Sequence, residues 1–234
     1  MTYKIAIVED EPAIRENYAD VLRKQGYEVC TCANRYEAEA ALADALPDLA
    51  IIDIGLEDEI DGGFALCQWL RQRSATLPII FLSARDSDFD IVSGLRMGAD
   101  DYLTKDISLP HLVARIAALF RRLEAINSSE PSTDVIRQGK LEVDSQRIVC
   151  KWNGTPVDLT LTEFWMVHAL AKHPGHVKSR DQLMQDSRIV VDDATITSHI
   201  KRIRRKFQQA EPEFDCIETV YGMGYRWMEH KQMS

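Results

Sequence analysis

The stretch Lys4-Ile-Ala-Ile-Val-Glu-Asp10 is a short apolar run that ends in two acids. A similar run, Leu49-Ala-Ile-Ile-Asp-Ile54, carries Asp53 near its end, and Pro78-Ile-Ile-Phe-Leu82 leads directly to Ser83. Runs that are apolar at almost every position are typical of parallel strands that are covered on both faces. These three runs therefore predict the centre of a parallel sheet.

Two weaker strand segments and five segments with helical spacing lie around these runs. Strand and helix alternate throughout residues 1–124, which favours a five-stranded parallel sheet with helices on both faces, a doubly wound α/β fold. Ligands of such sheets bind at the carboxyl ends of the strands. The predicted strands are Lys4–Val8, Tyr27–Cys32, Leu49–Ile54, Pro78–Leu82 and Tyr102–Thr104, and the predicted helices are 13–25, Tyr36–Leu46, Phe64–Gln72, Phe89–Met97 and Leu109–Leu123.

The second half of the chain has a different order of elements. The polar segment Asn127–Thr133 contains a proline, so we place a linker at 125–135 and a second domain at 136–234. Short strands, three helices and a final hairpin with a glycine-bearing loop predict a winged helix, a small α+β fold. The predicted strands are Lys140–Val143, Arg147–Trp152 and Val157–Leu159, the helices are Thr162–Lys172, Arg180–Asp186 and Ala194–Gln209, and the hairpin strands are Cys216–Val220 and Tyr225–Met228.

The composition indicates which kinds of partner and which compartment suit the protein. The net charge is −9, and the two halves differ: residues 1–124 hold 13 basic and 22 acidic residues, whereas residues 125–234 hold 15 of each. This difference predicts different partners for the two halves. The five cysteines have no CxxC spacing, so reduced thiols are expected. No apolar run approaches the roughly 18 residues that span a bilayer, and the N-terminus lacks a signal-peptide pattern. We therefore expect a cytoplasmic protein without a membrane partner.

Three carboxylates are predicted to meet at the carboxyl edge of the sheet. Glu9 and Asp10 end the first strand, and Asp53 ends the third. Clustered carboxylates require a cation, and hard oxygen ligands in this number favour Mg²⁺ as the cofactor. Ser83 after the fourth strand and Lys105 after the fifth add a hydroxyl and an ammonium, which completes a phosphoryl-binding site. Asp53 would be the nucleophile that forms an aspartyl phosphate, and Lys105 would offset charge on the transferring oxygens.

Four motifs follow one another at the ends of the predicted strands: Val8-Glu9-Asp10-Glu11, Asp53, Ser83-Ala84-Arg85 and Gly98-Ala-Asp-Asp-Tyr-Leu-Thr-Lys105. In this order and spacing they resemble the receiver domain of bacterial two-component response regulators, a flavodoxin-like fold, over residues 3–122. The resemblance implies a phosphohistidine on a sensor histidine kinase as the phosphoryl donor. It also implies that Ser83 and Tyr102 move to report phosphorylation, and that the protein is a regulator rather than an enzyme.

Three features depart from that family pattern. Asp106 follows Lys105 where the family usually has a proline with a cis peptide bond. A cis bond without proline costs about 3–4 kcal/mol, so the bond is either trans, with a shifted loop, or strained. Glu57 also stands where proline is usual, and the loop Glu57–Asp61 is one residue longer before Gly62. These departures change the expected loop geometry and phosphoryl lifetime, not the chemistry.

The segment His199–Lys206 is strongly basic, because five of its eight residues are Lys or Arg and no acid lies between Ala194 and Ala210. Basic residues cover one arc of the predicted helix, and solvated helix faces usually mix both signs, so DNA phosphate is the simplest partner. Polar residues near the helix start would reach base edges in a major groove. Four apolar residues at helical spacing predict a stripe that faces the core: Ile196, Ile200, Ile203 and Phe207.

Flanking motifs support double-stranded DNA as a partner. Leu161-Thr-Glu-Phe164, Ser179-Arg-Asp-Gln-Leu183, the basic helix and Thr219-Val-Tyr-Gly-Met-Gly-Tyr-Arg226 resemble the winged-helix effector domain of OmpR/PhoB-type response regulators, over residues 136–228. The family often has arginine at the positions of Ala194 and Tyr221, so weaker phosphate binding is expected. The resemblance implies a wing hairpin in the minor groove and DNA contacts from Arg180, Thr195, His199, Lys201, Arg202, Arg205 and Tyr221.

The resemblance also implies that phosphorylation promotes a homodimer through the fourth helix, fifth strand and fifth helix. Asp100, Asp101 and Arg115 are candidates for cross-subunit ion pairs, whereas Ile91 and His111 stand where a charged pair is common. We therefore expect an interface with fewer ion pairs and more apolar contact. RNA polymerase is a further candidate partner. The segment Ser187–Asp193 is short and lacks the tryptophan that is common in the family, so it gives no basis for inferring a contact with the polymerase.

Two other functions are compatible with parts of the sequence. A phosphohydrolase similar to haloacid dehalogenases would also form an aspartyl phosphate, but it needs a second aspartate two residues after the nucleophile, where this chain has Gly55. A DNA-binding regulator that works without phosphorylation is the other alternative, given Asp106. The segments Asp86–Asp90 and Lys105–His111 further resemble a subgroup associated with a dedicated sortase system in proteobacteria, which would imply control of surface-protein anchoring.

Overall fold

The computed structural model describes residues 2–56, 59–127, 135–187 and 193–228. The chain divides into two compact units, Met1–Arg115 and Ile116–Ser234. Three features predicted from the sequence lie outside the described residues: Glu57, most of the linker 125–135, and the interior of the segment Ser187–Asp193.

The first unit contains a parallel sheet. Its strands are β1 (Lys4–Val8), β2 (Glu28–Cys32), β3 (Leu49–Ile52), β4 (Ile79–Ser83) and β5 (Asp101–Thr104), and the helices that follow them are α1 (Pro12–Lys24), α2 (Arg35–Ala41), α3 (Gly62–Arg73), α4 (Asp88–Met97) and α5 (Leu109–Asn127). The strand order is β2-β1-β3-β4-β5, and every adjacent pair is parallel. This confirms the doubly wound α/β prediction.

Strand burial explains why the apolar runs predicted this sheet so well. Every residue of β3 and β4 is buried, and in β1 only Lys4 is exposed. In the register, Val8 of β1 is the partner of Ile52 in β3, so the two strands end side by side. The strand order also reverses at β1, which lies between β2 and β3. Such a reversal leaves a crevice at the carboxyl edge, and the residues after β1 and β3 enter it.

Gly63 allows helix α3 to begin in direct contact with the end of β3. The N–H of Gly63 in α3 donates to the carbonyl of Ile54 at 2.9 Å. A Cβ atom on Gly63 would lie 2.0 Å from the carbonyl oxygen of Asp53, so no larger residue fits without a shift of the backbone. The first turn of α3 therefore packs directly against the backbone of the strand end that carries Asp53.

Beyond α5, the described residues of the second unit form two antiparallel sheets and three helices. Its elements are β6 (Val135–Gln138), β7 (Leu141–Asp144), β8 (Val149–Trp152), β9 (Thr155–Pro156), α6 (Leu161–Ala171), α7 (Arg180–Asp186), α8 (Asp193–Ala210), β10 (Ile217–Val220) and β11 (Gly224–Trp227). One sheet has the order β6-β7-β8-β9, and β10 pairs with β11 as a hairpin. The winged-helix prediction is confirmed, although β6 was not predicted.

The predicted strand Val157–Leu159 is wrong, and a tight turn explains the difference. Asn153 and Gly154 both have a positive φ, 49° and 80°, and form a two-residue turn. Trp152 consequently pairs with Thr155 at once, and the short strand β9 has ended before Val157.

Aromatic rings and the stripe of α8 form the core of the second unit. The ring of Trp152 lies 5.6 Å from Phe207, 5.0 Å from Phe214 and 6.3 Å from Trp227, measured between centroids. All four members of the predicted stripe are 0% exposed: Ile196, Ile200, Ile203 and Phe207. The apolar period of α8 thus identified its inner face correctly.

Helix α5 runs past the domain boundary that the sequence predicts. It ends at Asn127 rather than Leu123, because no glycine or proline interrupts it after its first turn, and the division between the two units falls inside it. Among the described residues, no helix combines the length and the apolar character needed to cross a bilayer.

Candidate functional site

Three carboxylates meet at the carboxyl edge of the parallel sheet. Glu9 and Asp10 directly follow β1, and Asp53 directly follows β3. One oxygen from each carboxylate lies within 4.8 Å of the other two, a spacing that a single cation can bridge. Glu9 is only 2% exposed and Asp53 only 7% exposed, whereas Asp10 is partly exposed. Solvent therefore reaches this cluster most easily at Asp10.

Lys105 follows β5, and its ammonium group reaches the two buried carboxylates. Its Nζ atom lies 2.6 Å from Asp53 Oδ2 and 2.8 Å from Glu9 Oε1. Burial alone would lower the pKa of Lys105, but hydrogen bonds to Asp53 and Glu9 outweigh it and raise the pKa. Burial raises the pKa of Glu9, and Lys105 offsets this only in part. Asp53 also accepts a hydrogen bond from the N–H of Ile54 at 2.6 Å, so its carboxylate is held from two sides.

Ser83 and Tyr102 lie next to this cluster on β4 and β5. The Tyr102 hydroxyl donates to the carbonyl of Arg85 at 2.8 Å, and Tyr102 is only 4% exposed. Burial raises the pKa of Tyr102 to about 12, so the phenol remains a hydrogen-bond donor at neutral pH. A Cβ atom on Gly94 would lie 2.7 Å from the Tyr102 ring, which means that α4 packs directly on this ring. Tyr102 thereby connects β5, α4 and the loop after β4.

Two arginines hold the loop after Asp53. Arg35 binds both carboxylate oxygens of Glu59, at 2.8 and 3.0 Å, and these hydrogen bonds lower the pKa of Glu59. Arg85 lies 3.2 Å from the carboxylate of Asp61 and donates to the backbone carbonyl of Ile60. Sequence reasoning did not find this role of Arg35, because Arg35 lies on α2 whereas Glu59 lies in a loop 24 residues later, and no local pattern joins them.

The peptide bond between Lys105 and Asp106 is trans. Of the two geometries expected from the sequence, a trans bond or a strained cis bond, the structure has the first. The Thr104 hydroxyl donates to the Asp106 carboxylate. The aspartate that replaces the usual proline is therefore engaged with its own loop and leaves Lys105 directed at the acidic cluster.

Three of the five candidate DNA contacts on α8 are buried in the second unit. Thr195 and His199 are 0% exposed, and Arg202 is 4% exposed. Arg202 donates to the carboxylate of Glu163 in α6, and its Nη2 atom lies 3.0 Å from His199 Nδ1. The expectation that these three residues face outward is corrected, because their side chains point into the interior rather than towards a DNA surface.

Glu163 is the centre of a buried polar network that sequence reasoning missed. It forms a capping box with Thr160 at the start of α6. Lys206 lies 2.6 Å from its second carboxylate oxygen. Burial alone would raise the pKa of Glu163, but the charges of Arg202 and Lys206 hold it well below its usual range. In the sequence, Glu163 belongs to the motif Leu161-Thr-Glu-Phe164 and stands three residues after Thr160, the spacing of a capping box, but neither signal identifies Arg202 and Lys206 as its partners.

Arg204 is also occupied within the second unit. It donates to the carbonyl of Ile217 at 3.0 and 2.8 Å and to the hydroxyl of Thr219 at 2.8 Å, which fastens α8 to β10. Lys201 and Arg205 are the basic residues of His199–Lys206 that remain exposed.

The remaining candidate contacts lie at the start of α7 and in the β10–β11 turn. Arg180 is partly exposed, and its guanidinium carbon lies 5.7 Å from the centre of the Tyr225 ring. The Tyr225 hydroxyl lies 3.3 Å from the hydroxyl of Thr197 on α8, a second tie between helix and hairpin. Tyr221 is 93% exposed and Met223 is 61% exposed, so the hairpin turn presents an apolar tip.

Both halves of the chain match known families. Residues 5–117 match the response regulator receiver domain, and residues 154–227 match the C-terminal domain of transcriptional regulatory proteins. The chain is 39% identical to the phosphate regulon transcriptional regulatory protein PhoB of Rhizobium meliloti, over 96% of this chain and 98% of that protein. The chain belongs to the OmpR/PhoB-type response regulators. It is a DNA-binding transcription factor that is regulated by phosphorylation, with a kinase as partner.

Other relatives of this response regulator agree with that assignment. It is 35% identical to the transcriptional regulatory protein BaeR of Escherichia coli O6:H1, over 97% of this chain and 93% of that protein. The structure also superposes on the solved structure of a RitR mutant with a TM-score of 0.76 at 21% identity. The match covers 97% of this chain and 100% of the RitR chain, and it supports the fold alone.

The residues predicted for the dimer face of this response regulator are largely engaged within one chain. Asp100 is 0% exposed and lies 2.8 Å from Arg71, so it is not available for a cross-subunit ion pair. Asp101 lies 3.1 Å from Arg115 in the same chain. His111 is exposed, and Ile91 is partly exposed and packs against the first unit's core.

Proposed function

We propose that Asp53 accepts the phosphoryl group of this response regulator from a phosphohistidine of a sensor histidine kinase. The contact of Lys105 Nζ with Asp53, at 2.6 Å within the cluster of Glu9 and Asp10, is the observation that carries the proposal. An Asp53 oxygen attacks phosphorus, the bond between phosphorus and the histidine nitrogen breaks, and the products are an aspartyl phosphate and a free imidazole.

Glu9, Asp10 and Asp53 suit Mg²⁺ as the cofactor, because each offers a hard oxygen ligand and these oxygens lie within 4.8 Å of one another. When bound, Mg²⁺ would neutralise charge on the phosphoryl oxygens. Lys105 supplies a second positive charge at the acceptor, and the Ser83 hydroxyl is the neutral donor at the same edge.

Ser83 and Tyr102 are proposed to report phosphorylation to the face formed by α4, β5 and α5. The hydrogen bond from Tyr102 to the carbonyl of Arg85, together with the packing of α4 on its ring, gives the phosphoryl site a direct route to α4. Ile91 lies on α4, and we propose that this face, with Ile91, Asp101, His111 and Arg115, forms the activated homodimer.

Lys201 and Arg205 are proposed to contact DNA phosphates, and Arg180 to add a phosphate contact at the start of α7. Tyr221 would enter the minor groove from the tip of the hairpin. Because α8 is fastened to this hairpin by Arg204 and by Thr197, helix and wing would meet the duplex as one rigid surface. The regulator would act in the cytoplasm, with RNA polymerase as a candidate partner at the promoter.

The acceptor is tested by incubating the full chain with acetyl phosphate and Mg²⁺ and measuring its intact mass. We expect one phosphoryl group on the wild type and on the control Asp44→Asn, whose carboxyl is exposed away from the cluster, and none on Asp53→Asn. Binding of promoter DNA should tighten in the phosphorylated wild type and control, and not in Asp53→Asn. An unmodified wild type, or an adduct that persists in Asp53→Asn, would contradict the proposal.

A further inference from the structure

Two imidazoles lie close together in the segment between α6 and α7. The sequence there is His173-Pro174-Gly175-His176, and the N–H of His176 donates to the carbonyl of His173 at 3.2 Å. Gly175 has a φ of +78°, and proline followed by such a glycine is typical of a type II turn. The two histidines are therefore the first and last residues of a tight turn.

This turn is fixed to the hairpin strand β11. The N–H of Gly175 donates to the carbonyl of Trp227 at 2.7 Å. Just beyond the turn, Lys178 and Tyr225 exchange two backbone hydrogen bonds, at 2.8 and 2.9 Å. Since Pro174 also restricts the backbone, the separation of the two histidines is largely set before any ligand binds.

The two rings are close enough together for both to reach one cation. Their centroids are 5.9 Å apart, with planes tilted by 33°, and both residues are exposed. Two imidazoles that bind one cation at about 2.0–2.1 Å from each nitrogen have centroids roughly 5–6 Å apart. Within the part of the chain that the structure describes, neither ring has a hydrogen-bond or ion-pair partner, so no protein group competes for the nitrogens.

The ligand type determines which cations fit. Neutral imidazole suits Zn²⁺, Cu²⁺ and Ni²⁺, whereas Mg²⁺ prefers oxygen ligands. Among the described residues, the carboxylates of Glu9, Asp10 and Asp53 are the one group of three potential ligands found, so the histidine pair has no third protein ligand there. Water would fill the remaining coordination positions.

We propose that His173 and His176 form a two-imidazole chelate site for a late first-row divalent cation such as Ni²⁺, Cu²⁺ or Zn²⁺, separate from the acidic cluster of the first unit. The tight turn places both side chains on one cation, and the exposed position gives free access from solvent. The proposal does not depend on the phosphoryl chemistry of Asp53.

NiCl₂ is the probe, titrated by calorimetry into the untagged full chain with saturating Mg²⁺, so that the acidic cluster is occupied. We expect one Ni²⁺ site per chain in the wild type. His173→Ala and His176→Ala should each weaken it by about tenfold or more, because a single imidazole loses the chelate. His111→Ala, which removes an exposed histidine from the first unit, is the matched control and should bind like the wild type.

A second readout separates chelation from general surface binding. Paramagnetic Ni²⁺ should broaden the ring resonances of His173 and His176 together and at the same metal concentration, before those of His111. Equal Ni²⁺ affinity in the wild type and both alanine variants would overturn the proposal. Loss of affinity in only one of the two variants would overturn it as well, since a chelate needs both rings.

Discussion

At the scale of single residues, Glu9 is a buried carboxylate whose burial opposes its charge. Burial raises the pKa of Glu9 above its ordinary value of 4.5. The folded protein thus binds the Glu9 proton more tightly than the unfolded chain does. Protonated Glu9 therefore contributes to stability in full at pH values below the pKa of the unfolded chain. This contribution is lost as the pH rises through the pKa of the folded protein. At neutral pH in the absence of Mg²⁺, the ionised Glu9 therefore destabilises the fold.

Glu9→Gln is expected to raise the free energy of unfolding at pH 7 in EDTA, because the glutamine carries no charge to desolvate. This gain over the wild type should shrink as the pH falls to about 4, where Glu9 itself is protonated. Denaturant unfolding at several pH values measures it. Saturating Mg²⁺ should reverse the order, since only the wild type has all three carboxylate ligands, and equal stabilities under every condition would contradict the explanation.

Arg202 is a buried cation that pairs with a buried carboxylate inside the second unit. Arg202→Ala would leave the buried Glu163 with one cation fewer, and removal of one partner from a buried ion pair costs about 3–5 kcal/mol. We expect a loss of that size in the unfolding free energy of the second unit. Lys201→Ala, one residue earlier and exposed, should change stability by less than about 0.5 kcal/mol. Similar stabilities for the two variants would show that Arg202 does not have this structural role.

At the scale of elements, the start of α3 depends on a glycine. Gly63→Ala places a Cβ atom 2.0 Å from the carbonyl of Asp53 and should cost about 1–3 kcal/mol, with a change in phosphorylation rate because the acceptor strand must shift. Gly55→Ala is the control, since its Cβ atom would meet nothing closer than 3.9 Å. Thermal unfolding and acetyl phosphate kinetics of both variants check the prediction, and it fails if the two behave alike.

The basic helix α8 and the hairpin should contribute to DNA affinity in different ways. Lys201→Ala and Arg205→Ala should each weaken binding at all sequences and lower the slope of log K against log salt by about one, because each removes one phosphate contact. Tyr221→Ala should weaken binding without a change in slope, since tyrosine carries no charge.

Tyr221→Arg is the complementary variant, and it should raise that slope by about one. Fluorescence anisotropy over a range of salt concentrations measures the wild type and each of these variants. A Tyr221→Ala variant that binds like the wild type would exclude the hairpin tip as a contact. A slope unchanged in Lys201→Ala and Arg205→Ala would exclude the proposed phosphate contacts.

At the scale of the whole molecule, the activated dimer is expected to rely on apolar contact. Asp100 is already paired inside the chain, and Asp101 and Arg115 pair with each other. Ile91 on α4 is partly exposed, so it is an apolar residue that can gain burial in an interface. In the presence of beryllofluoride and Mg²⁺, Ile91→Ala should weaken the dimer by about tenfold.

Analytical ultracentrifugation of the full chain measures that dimer. Tyr36→Ala, at a residue that is 64% exposed on α2, is the control and should dimerise like the wild type. Circular dichroism should show that both variants are folded. A dimer of unchanged affinity in Ile91→Ala would mean that Ile91 is not buried in the interface.

The sequence by itself determined the fold class of both units and the position of the acidic cluster. Near-continuous apolar runs identify parallel strands, and parallel strands bring the residues at their carboxyl ends to one edge, so Glu9, Asp10 and Asp53 were predictable from strand ends alone. The inner stripe of α8 was predictable for a similar reason, because the apolar period of a helix is local information.

The tertiary structure alone decided which charged residues are free to act. Helical spacing distinguishes the apolar stripe of α8 from its other faces. It does not reveal that Arg202 and Lys206 form ion pairs with Glu163 on α6, or that Arg204 donates hydrogen bonds to β10. In the same way, Asp100 is engaged by Arg71 on a helix far from it in the chain. The physical reason is that a long side chain is fixed by partners that fold next to it, and the sequence around that side chain does not contain them.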